Sequence, residues 1–198
     1  MRKDLEGGEM KIAIAGGIGS GKSAVTAILR ELGAKVVVAD EVNAELLTDP
    51  SYISLLANRF PDCVHNNLIN KKELAACVYR DEGKRRELMA LSHPLILERM
   101  FSRYPDADLV FYEIPLLSEV DYPFDSIWYL DCDQETRVER IVKRDSVDPS
   151  YARHVISLQK REDDFREKAD LVISNRGDQD ALRTLVKREY YSILSKFS

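Results

Sequence analysis

The sequence predicts an α/β fold in which helices cover both faces of a five-stranded parallel sheet. Five short apolar runs lie along the chain, amphipathic helical patterns separate them, and a glycine-rich turn joins the first run to the first helix. Apolar runs without polar alternation are typical of strands buried on both faces, and strands connected through helices run parallel. The predicted strands are residues 11–15, 36–39, 109–113, 127–131 and 171–174.

Helical patterns fill the intervals between these strands. Apolar spacing predicts helices at residues 24–32, 41–47, 51–59, 71–79 and 81–104, two that follow Asp133 and Asp148, and one that closes the chain. Pro94 predicts a kink or a break, because proline lacks the backbone N–H of a helical residue. Residues 60–70 are rich in Asn and Asp, and we expect them to be irregular.

The stretch between the second and third strands is longer than a crossover requires and is almost wholly helical. It predicts a helical insert at about residues 48–106, which either binds substrate or is purely structural. The remainder, about residues 10–47 and 107–198, forms the core of a single domain, with a lid at about residues 137–160. Residues 1–9 lack the apolar run of a secretory signal and are expected to form a flexible leader.

The glycine-rich turn, residues 16–23, fits the pattern G-x-x-x-x-G-K-[ST], in which backbone amides bind phosphate oxygens. A strand precedes this phosphate loop, and the free N–H groups of the helix start that follows it favour anions. Lys22 is expected to reach the β- and γ-phosphates of a nucleotide, and the Ser23 hydroxyl to complete the coordination of Mg²⁺. The motif predicts a nucleotide ligand and leaves the reaction open.

Composition narrows the class of partner. The chain has 198 residues and a net charge of −5, which disfavours a nucleic-acid-binding surface. The sequence has no apolar run of about 18 residues, so it predicts no membrane span. The three cysteines lack the C-x-x-C and Cys/His spacings of metal sites, which favours reduced thiols in a cytoplasmic protein. The oligomeric state is left open.

Two carboxylates lie at the carboxyl ends of predicted strands, where open α/β sheets bind ligands. Asp40 either accepts a proton from an attacking hydroxyl or caps the next helix. Glu113 either orients water around Mg²⁺ or holds a substrate hydroxyl, unless it is an ordinary surface residue. His93, in the helical insert, is either a ligand-binding or a structural residue.

Three arginines fall on one face of the helix that follows the fourth strand. The spacing of Arg137, Arg140 and Arg144 aligns them. Guanidinium groups suit the charge of a transferred phosphoryl group. The alternative is a solvated face that pairs with Glu135 and Glu139.

Together these features resemble the dephospho-CoA kinase family over about residues 11–186. The segments that carry the resemblance are the phosphate loop, Ala39-Asp40, His93-Pro94-Leu95-Ile96, residues 113–119, Arg140 with Arg144-Asp145, Gln159 and residues 169–177. A His-Pro element followed by Pro-Leu-Leu-x-Glu is specific to that family, whereas the loop alone is not. The resemblance implies a three-layer P-loop NTPase fold and a kinase that uses ATP and Mg²⁺ to phosphorylate the ribose 3′-hydroxyl of dephospho-CoA, the last step of coenzyme A synthesis.

The resemblance also implies roles for individual residues. The catalytic residues would be Lys22, Asp40 as general base, and Arg140 as the lid arginine that closes over the phosphates. ATP would contact Gly19, Ser20, Gly21, Lys22, Ser23, Ala24, Asn175 and Gly177. Dephospho-CoA would contact His93, Glu113, Pro115, Leu116 and Leu117.

Two other classes of protein share part of this pattern. A kinase for another small hydroxyl or for a nucleoside monophosphate would have the same loop, sheet and lid, but is not expected to carry the His-Pro and Pro-Leu-Leu-x-Glu elements. A GTPase-like switch would need D-x-x-G after the loop and N-K-x-D near the base. Asp4-Leu5-Glu6-Gly7 precedes the loop, and Asn70-Lys71-Lys72-Glu73 ends in Glu, so neither serves.

Overall fold

The structure, a computed structural model, describes residues 10–115, 117, 124–159, 164–176 and 178–197, and the expected leader at residues 1–9 lies outside them. The strands are β1 (Met10–Ala15), β2 (Lys35–Val38), β3 (Val64–His65), β4 (Leu68–Ile69), β5 (Leu109–Glu113), β6 (Ser126–Asp131) and β7 (Leu171–Ser174). The helices are α1 (Lys22–Glu31), α2 (Ala39–Leu46), α3 (Pro50–Arg59), α4 (Lys71–Arg80), α5 (Glu82–Phe101), α6 (Gln134–Asp145), α7 (Pro149–Leu158), α8 (Phe165–Lys168) and α9 (Gln179–Leu194).

The predicted five-stranded parallel sheet is confirmed. Its strand order is β2-β5-β1-β6-β7, so β1 lies between β5 and β6. In the parallel register, Ile14 of β1 lies opposite Glu113 of β5 on one side and Trp128 of β6 on the other. Because parallel strands end at the same edge, the phosphate loop after β1 shares that edge with the residues that follow β6 and β7.

The centre of the sheet is buried as its apolar sequence predicts. The four residues from Ile12 to Ala15 are fully buried, since neighbouring strands and covering helices enclose β1. Phe111 of β5 meets Trp128 of β6 edge-on with ring centroids 5.1 Å apart, a favoured aromatic geometry. This packing gives the phosphate loop a rigid strand from which to start.

The chain forms two compact units. One, the sheet unit, comprises the residues up to Val37 and those from Tyr104 onward; the other, the helical unit, is Val38–Arg103. The predicted insert covers about residues 48–106, whereas the helical unit already begins at Val38 and includes α2. Helix α2 packs against α5 of the same unit, which accounts for the earlier boundary.

One local prediction in the helical unit was wrong. Residues 60–70 are not wholly irregular, since β3 and β4 form a short antiparallel hairpin after a 3₁₀ turn. Asn66 and Asn67 form its turn with positive φ, a conformation that asparagine tolerates. Helix α5 carries Pro94 in its interior without a break, so the break is excluded and the kink stays a prediction. Packing of α2 and α4 against α5 offsets the hydrogen bond that proline cannot make.

Among the helices of the described residues, none combines the length and apolar character that crossing a bilayer requires.

Candidate functional site

The phosphate loop joins β1 to α1 within the sheet unit, and Gly21 is its last residue before the helix. Gly21 has a left-handed φ of 98°, a conformation that side chains disfavour. A Cβ at this position would lie 2.1 Å from Nδ2 of Asn175. Backbone angle and space both require glycine there, as the motif predicts.

Lys22 begins α1, and its side chain turns back over the loop. Its Nζ donates a hydrogen bond to the carbonyl oxygen of Gly16 at 2.6 Å. Ser23 follows at an exposed position. The amide N–H of Ala24 donates to the Gly21 carbonyl at 3.0 Å as the first turn of α1 closes. The ammonium group and the helix start thus both lie at the loop, where a phosphate would benefit from positive charge.

Both backbone groups of Ile18, in the middle of the loop, are held by side chains distant in sequence. Arg137 of α6 is 5% exposed, and its Nε donates to the Ile18 carbonyl at 2.9 Å. Oε1 of Gln159, directly after α7, accepts the Ile18 N–H at 2.8 Å. A Cβ on Gly17 would lie 2.1 Å from the Arg137 guanidinium. Glycine at position 17 therefore lets this arginine pack against the loop.

Arg140 and Asn175 hold the second half of the loop. Nη1 of Arg140 donates to the carbonyls of Gly19 and Ser20 at 3.3 and 3.1 Å, and Nη2 donates to the carbonyl and Oδ1 of Asn175 at 3.2 and 3.3 Å. Nδ2 of Asn175, a residue only 2% exposed, donates to the Ser20 carbonyl at 2.8 Å. The two side chains form a network that fixes the loop backbone.

The three arginines on this face of α6 therefore have different partners. The alternative of a solvated face is wrong for Arg137 and Arg140, whose guanidinium groups contact loop carbonyls. Arg144 has an exposed side chain and pairs with Asp145 at 2.7 Å. Glu135 pairs with Arg153 of α7. Closure of Arg140 over bound phosphates stays a prediction.

Sequence reasoning missed the contacts of Arg137 and Gln159 with the loop. Helical spacing placed Arg137 beside Arg140, but it could not show which partner lay opposite that face. The only feature of the sequence that pointed to Gln159 was the family resemblance. Both residues act on Ile18, a position that the motif leaves free to vary.

The start of α6 is set by Asp133, which lies directly after Cys132 and β6. Asp133 accepts the N–H and the hydroxyl of Thr136, both at 2.9 Å, and these bonds hold the pKa of its carboxyl below the ordinary value. Its support of α6 is therefore complete above the carboxyl pKa of the unfolded chain and is lost as pH falls through the lowered one. Burial raises the pKa of the Cys132 thiol, and the nearby Arg140 partly opposes that rise.

The other predicted residues of the sheet unit lie near the loop or in the core. Glu113 is half-buried at the end of β5, opposite Ile14, which lies two residues before the loop. Pro115 is half-buried and Leu117 is buried. Leu116 and Gly177 fall outside the described residues, so their predicted contacts stay predictions.

Asp40 and His93 belong to the helical unit. Asp40 is exposed in the first turn of α2, and the N-cap position is taken by Val38. The alternative that Asp40 caps this helix is therefore wrong. His93 lies on α5 and lines a groove of the helical unit.

The donor set fits a magnesium ion that is brought in with a polyphosphate. Within the described residues, no group of three or more His, Cys, Asp or Glu side chains could hold a metal by itself. Mg²⁺ in phosphate-transfer sites is typically held by one or two protein oxygens, phosphate oxygens and waters. The Ser23 hydroxyl, one residue after Lys22 at the helix start, is a suitable protein ligand, and Glu113 is suited to hold one of the waters.

We predict that Asn175→Ala weakens ATP binding. The substitution removes the hydrogen bond that the Ser20 carbonyl accepts from Asn175 and the one that Arg140 donates to it, both at the loop. The expected change is a rise of roughly tenfold in the Kd for ATP, measured by calorimetric titration. Arg176→Ala, at the next position on an exposed side chain, is the matched control and should leave the Kd unchanged. Equal Kd values for the two variants would contradict this role of Asn175.

Comparisons with known proteins agree with the fold and indicate the family. A family model described as dephospho-CoA kinase matches residues 10–180. The dephospho-CoA kinase of Halalkalibacterium halodurans is 31% identical, over 95% of this chain and 96% of that protein. A crystal structure of TT1252 from Thermus thermophilus superposes with a TM-score of 0.80 at 28% identity, over 96% of this chain and 98% of that one. Dephospho-CoA kinase from Campylobacter jejuni shares the fold, with a TM-score of 0.66 at 21% identity over 93% of this chain and 97% of that one.

Proposed function

We infer the function from the fact that this chain belongs to the dephospho-CoA kinase family: it transfers the γ-phosphoryl group of ATP to dephospho-CoA and so produces coenzyme A. The mechanism rests on one observation: side chains from other elements hold the backbone of the phosphate loop in place. The loop lies between a strand and a helix, and its left-handed glycine and its lysine match the binding site that a nucleoside triphosphate requires. The group that accepts the phosphoryl group is the ribose 3′-hydroxyl.

On the donor side, the loop amides and Lys22 bind the ATP phosphates. Lys22 exchanges the carbonyl of Gly16 for the β- and γ-phosphate oxygens, since an ionised phosphate is the stronger acceptor. Arg140 adds positive charge beside the phosphates while its guanidinium group donates to the carbonyls of Gly19 and Ser20. Asn175 lies at the end of β7 and borders the adenine side. These groups stabilise charge that spreads over the phosphoryl oxygens during transfer.

On the acceptor side, Asp40 receives the proton of the 3′-hydroxyl as its oxygen attacks the γ-phosphorus in line. The carboxylate is exposed and does not cap its own helix, so it is available to a substrate hydroxyl. It follows the carboxyl end of β2, and open parallel sheets bind ligands beyond that end of their strands. His93, Pro115 and Leu117 contact dephospho-CoA in this proposal.

Bound together with ATP, Mg²⁺ would neutralise negative charge on the phosphates. Ser23 would hold it through its hydroxyl, and Glu113 would orient a bound water. In the predicted lid at about residues 137–160, Arg137 and Arg140 already hold the loop, and the part beyond them closes over the nucleotide and excludes water, which suppresses ATP hydrolysis. We place the reaction in the cytoplasm, where the thiols of Cys63, Cys77 and Cys132 would stay reduced.

The activity is tested by product analysis after incubation with Mg-ATP and a panel of acceptors. We expect coenzyme A to form from dephospho-CoA, and Lys22→Ala, which lacks the phosphate-binding ammonium, to give nearly none. The assignment would be overturned if incubation with dephospho-CoA gave no ADP above background while a nucleoside monophosphate or another small hydroxyl compound was phosphorylated. A preference for GTP over ATP in a titration would instead indicate a nucleotide switch.

Asp40→Asn should lower kcat by about a hundredfold or more, because the amide cannot accept the hydroxyl proton. The Kd for ATP should stay within about twofold of the original, since Asp40 contacts the acceptor and not the donor. The neighbouring exposed Glu41, changed to Gln, removes one negative charge from the same helix turn and should keep its kcat. A normal kcat in Asp40→Asn would refute the base assignment.

A further inference from the structure

The helical unit holds two cysteines side by side, and the phosphoryl chemistry uses neither of them. Cys63 ends the 3₁₀ turn Pro61–Cys63, and Cys77 lies in α4, which packs against that turn. The two side chains form a hydrogen bond between their sulfur atoms. The N–H of Asn70, the N-cap of α4, also donates to the Cys63 carbonyl at 2.8 Å, so the turn is fixed against the start of the helix. Both cysteines are free thiols in this structure.

The two thiols lie in different environments. Cys63 is 3% exposed, and burial, followed by the neighbouring Cys77, raises the pKa of its thiol. Cys77 is partly exposed, and its sulfur forms a hydrogen bond with Lys84 in the first turn of α5, a contact that raises the pKa of the lysine. An adjacent ammonium group stabilises a thiolate, which is the form that attacks a disulfide. The accessible Cys77 is therefore suited to react first, and the buried Cys63 to react with it afterwards.

We propose that Cys63 and Cys77 are a reversible redox modification site, which a low-molecular-weight disulfide converts into an intramolecular disulfide. The Cys77 thiolate attacks one sulfur of the small disulfide, whose S–S bond breaks, and the released thiolate takes up a proton from the solvent. The Cys63 thiol then loses its proton to the solvent, and its sulfur attacks the Cys77 sulfur and expels the second small thiolate. The two cysteines are oxidised, and the small disulfide is reduced to two thiols. In a reducing compartment such a bond forms transiently.

The new bond ties the 3₁₀ turn to the middle of α4. It closes a covalent ring over residues 63–77, which contains the β3–β4 hairpin and the first two turns of α4. Leu74 and Val78, on either side of Cys77 along this helix, line the same groove of the helical unit as His93. Oxidation therefore restrains one wall of that groove, because a cross-link removes conformations that the reduced chain can adopt.

Oxidation of the unaltered full chain tests the proposal directly. The folded protein is incubated with glutathione disulfide, the remaining thiols are alkylated, and the peptides are analysed by mass spectrometry. We expect Cys63 and Cys77 in one disulfide-linked peptide pair, which dithiothreitol separates again. Cys132, whose sulfur contacts Arg140 at 3.5 Å, is the internal control and should enter no linked pair. The proposal is overturned if Cys63 and Cys77 both remain open to alkylation, or if Cys77 ends as a stable glutathione adduct.

Single substitutions test the order in which the two thiols react. Cys63→Ser should stop the reaction at the mixed disulfide, so that Cys77 carries glutathione and no linked pair forms. Cys77→Ser should leave Cys63 unmodified, because a thiol that is 3% exposed is not accessible to the small disulfide. An adduct on Cys63 in Cys77→Ser, together with an unmodified Cys77 in Cys63→Ser, would overturn the assigned order.

A matched pair of lysine variants tests the role of the ammonium group beside Cys77. Lys84→Gln removes that group, whereas Lys72→Gln makes the same change at an exposed lysine in the first turn of α4. We expect the linked pair to form roughly threefold or more slowly in Lys84→Gln at a fixed concentration of glutathione disulfide. Lys72→Gln should react at the rate of the original protein. Equal rates in the two variants would overturn the role assigned to Lys84.

Discussion

A backbone loop that turns its N–H groups towards a phosphate must find donors for the carbonyl groups that face away. This constraint organises the sheet unit, because buried carbonyls without partners are costly. Arg137 donates to Ile18, Arg140 donates to Gly19 and Ser20, and Asn175 donates again to Ser20. The loop conformation therefore depends on two elements far along the chain, and not on its glycines alone.

The sheet order is what brings these donors to the loop. Strand β1 has β6 as its neighbour, and β6 has β7 on its other side. Helix α6 follows β6, so its first two turns carry Arg137 and Arg140 to the edge where the loop begins. Asn175 is the first residue after β7, and its N–H donates to the Asp131 carbonyl at the end of β6. The N-cap at Asp133 fixes where α6 starts and hence where both arginines lie.

The parts of this arrangement that depend on local pattern could be predicted from the sequence. The bounds of β5 and β7 agree with the predicted ones, because both are short apolar runs between polar turns. The loop was identified because phosphate binding restricts its glycines and its lysine to fixed spacings. The contacts that depend on tertiary structure could not be predicted: helical spacing aligned Arg140 with Arg144, yet one binds the loop and the other pairs with its neighbour. The β3–β4 hairpin was missed because strands of two residues carry too little pattern. Pro94 does not break α5, because packing against α2 and α4 outweighs the local propensity.

The most direct test of this account replaces Arg140 by lysine, which keeps the charge and removes the planar fork that reaches Gly19, Ser20 and Asn175. Arg144→Lys, at an exposed position of the same helix, is the control. The Kd for ATP and the hydrogen exchange of the loop amides are measured in both variants. We expect Arg140→Lys to weaken ATP binding by roughly tenfold and to speed exchange in the loop, while Arg144→Lys changes neither. Indistinguishable Kd values and exchange rates in the two variants would contradict it.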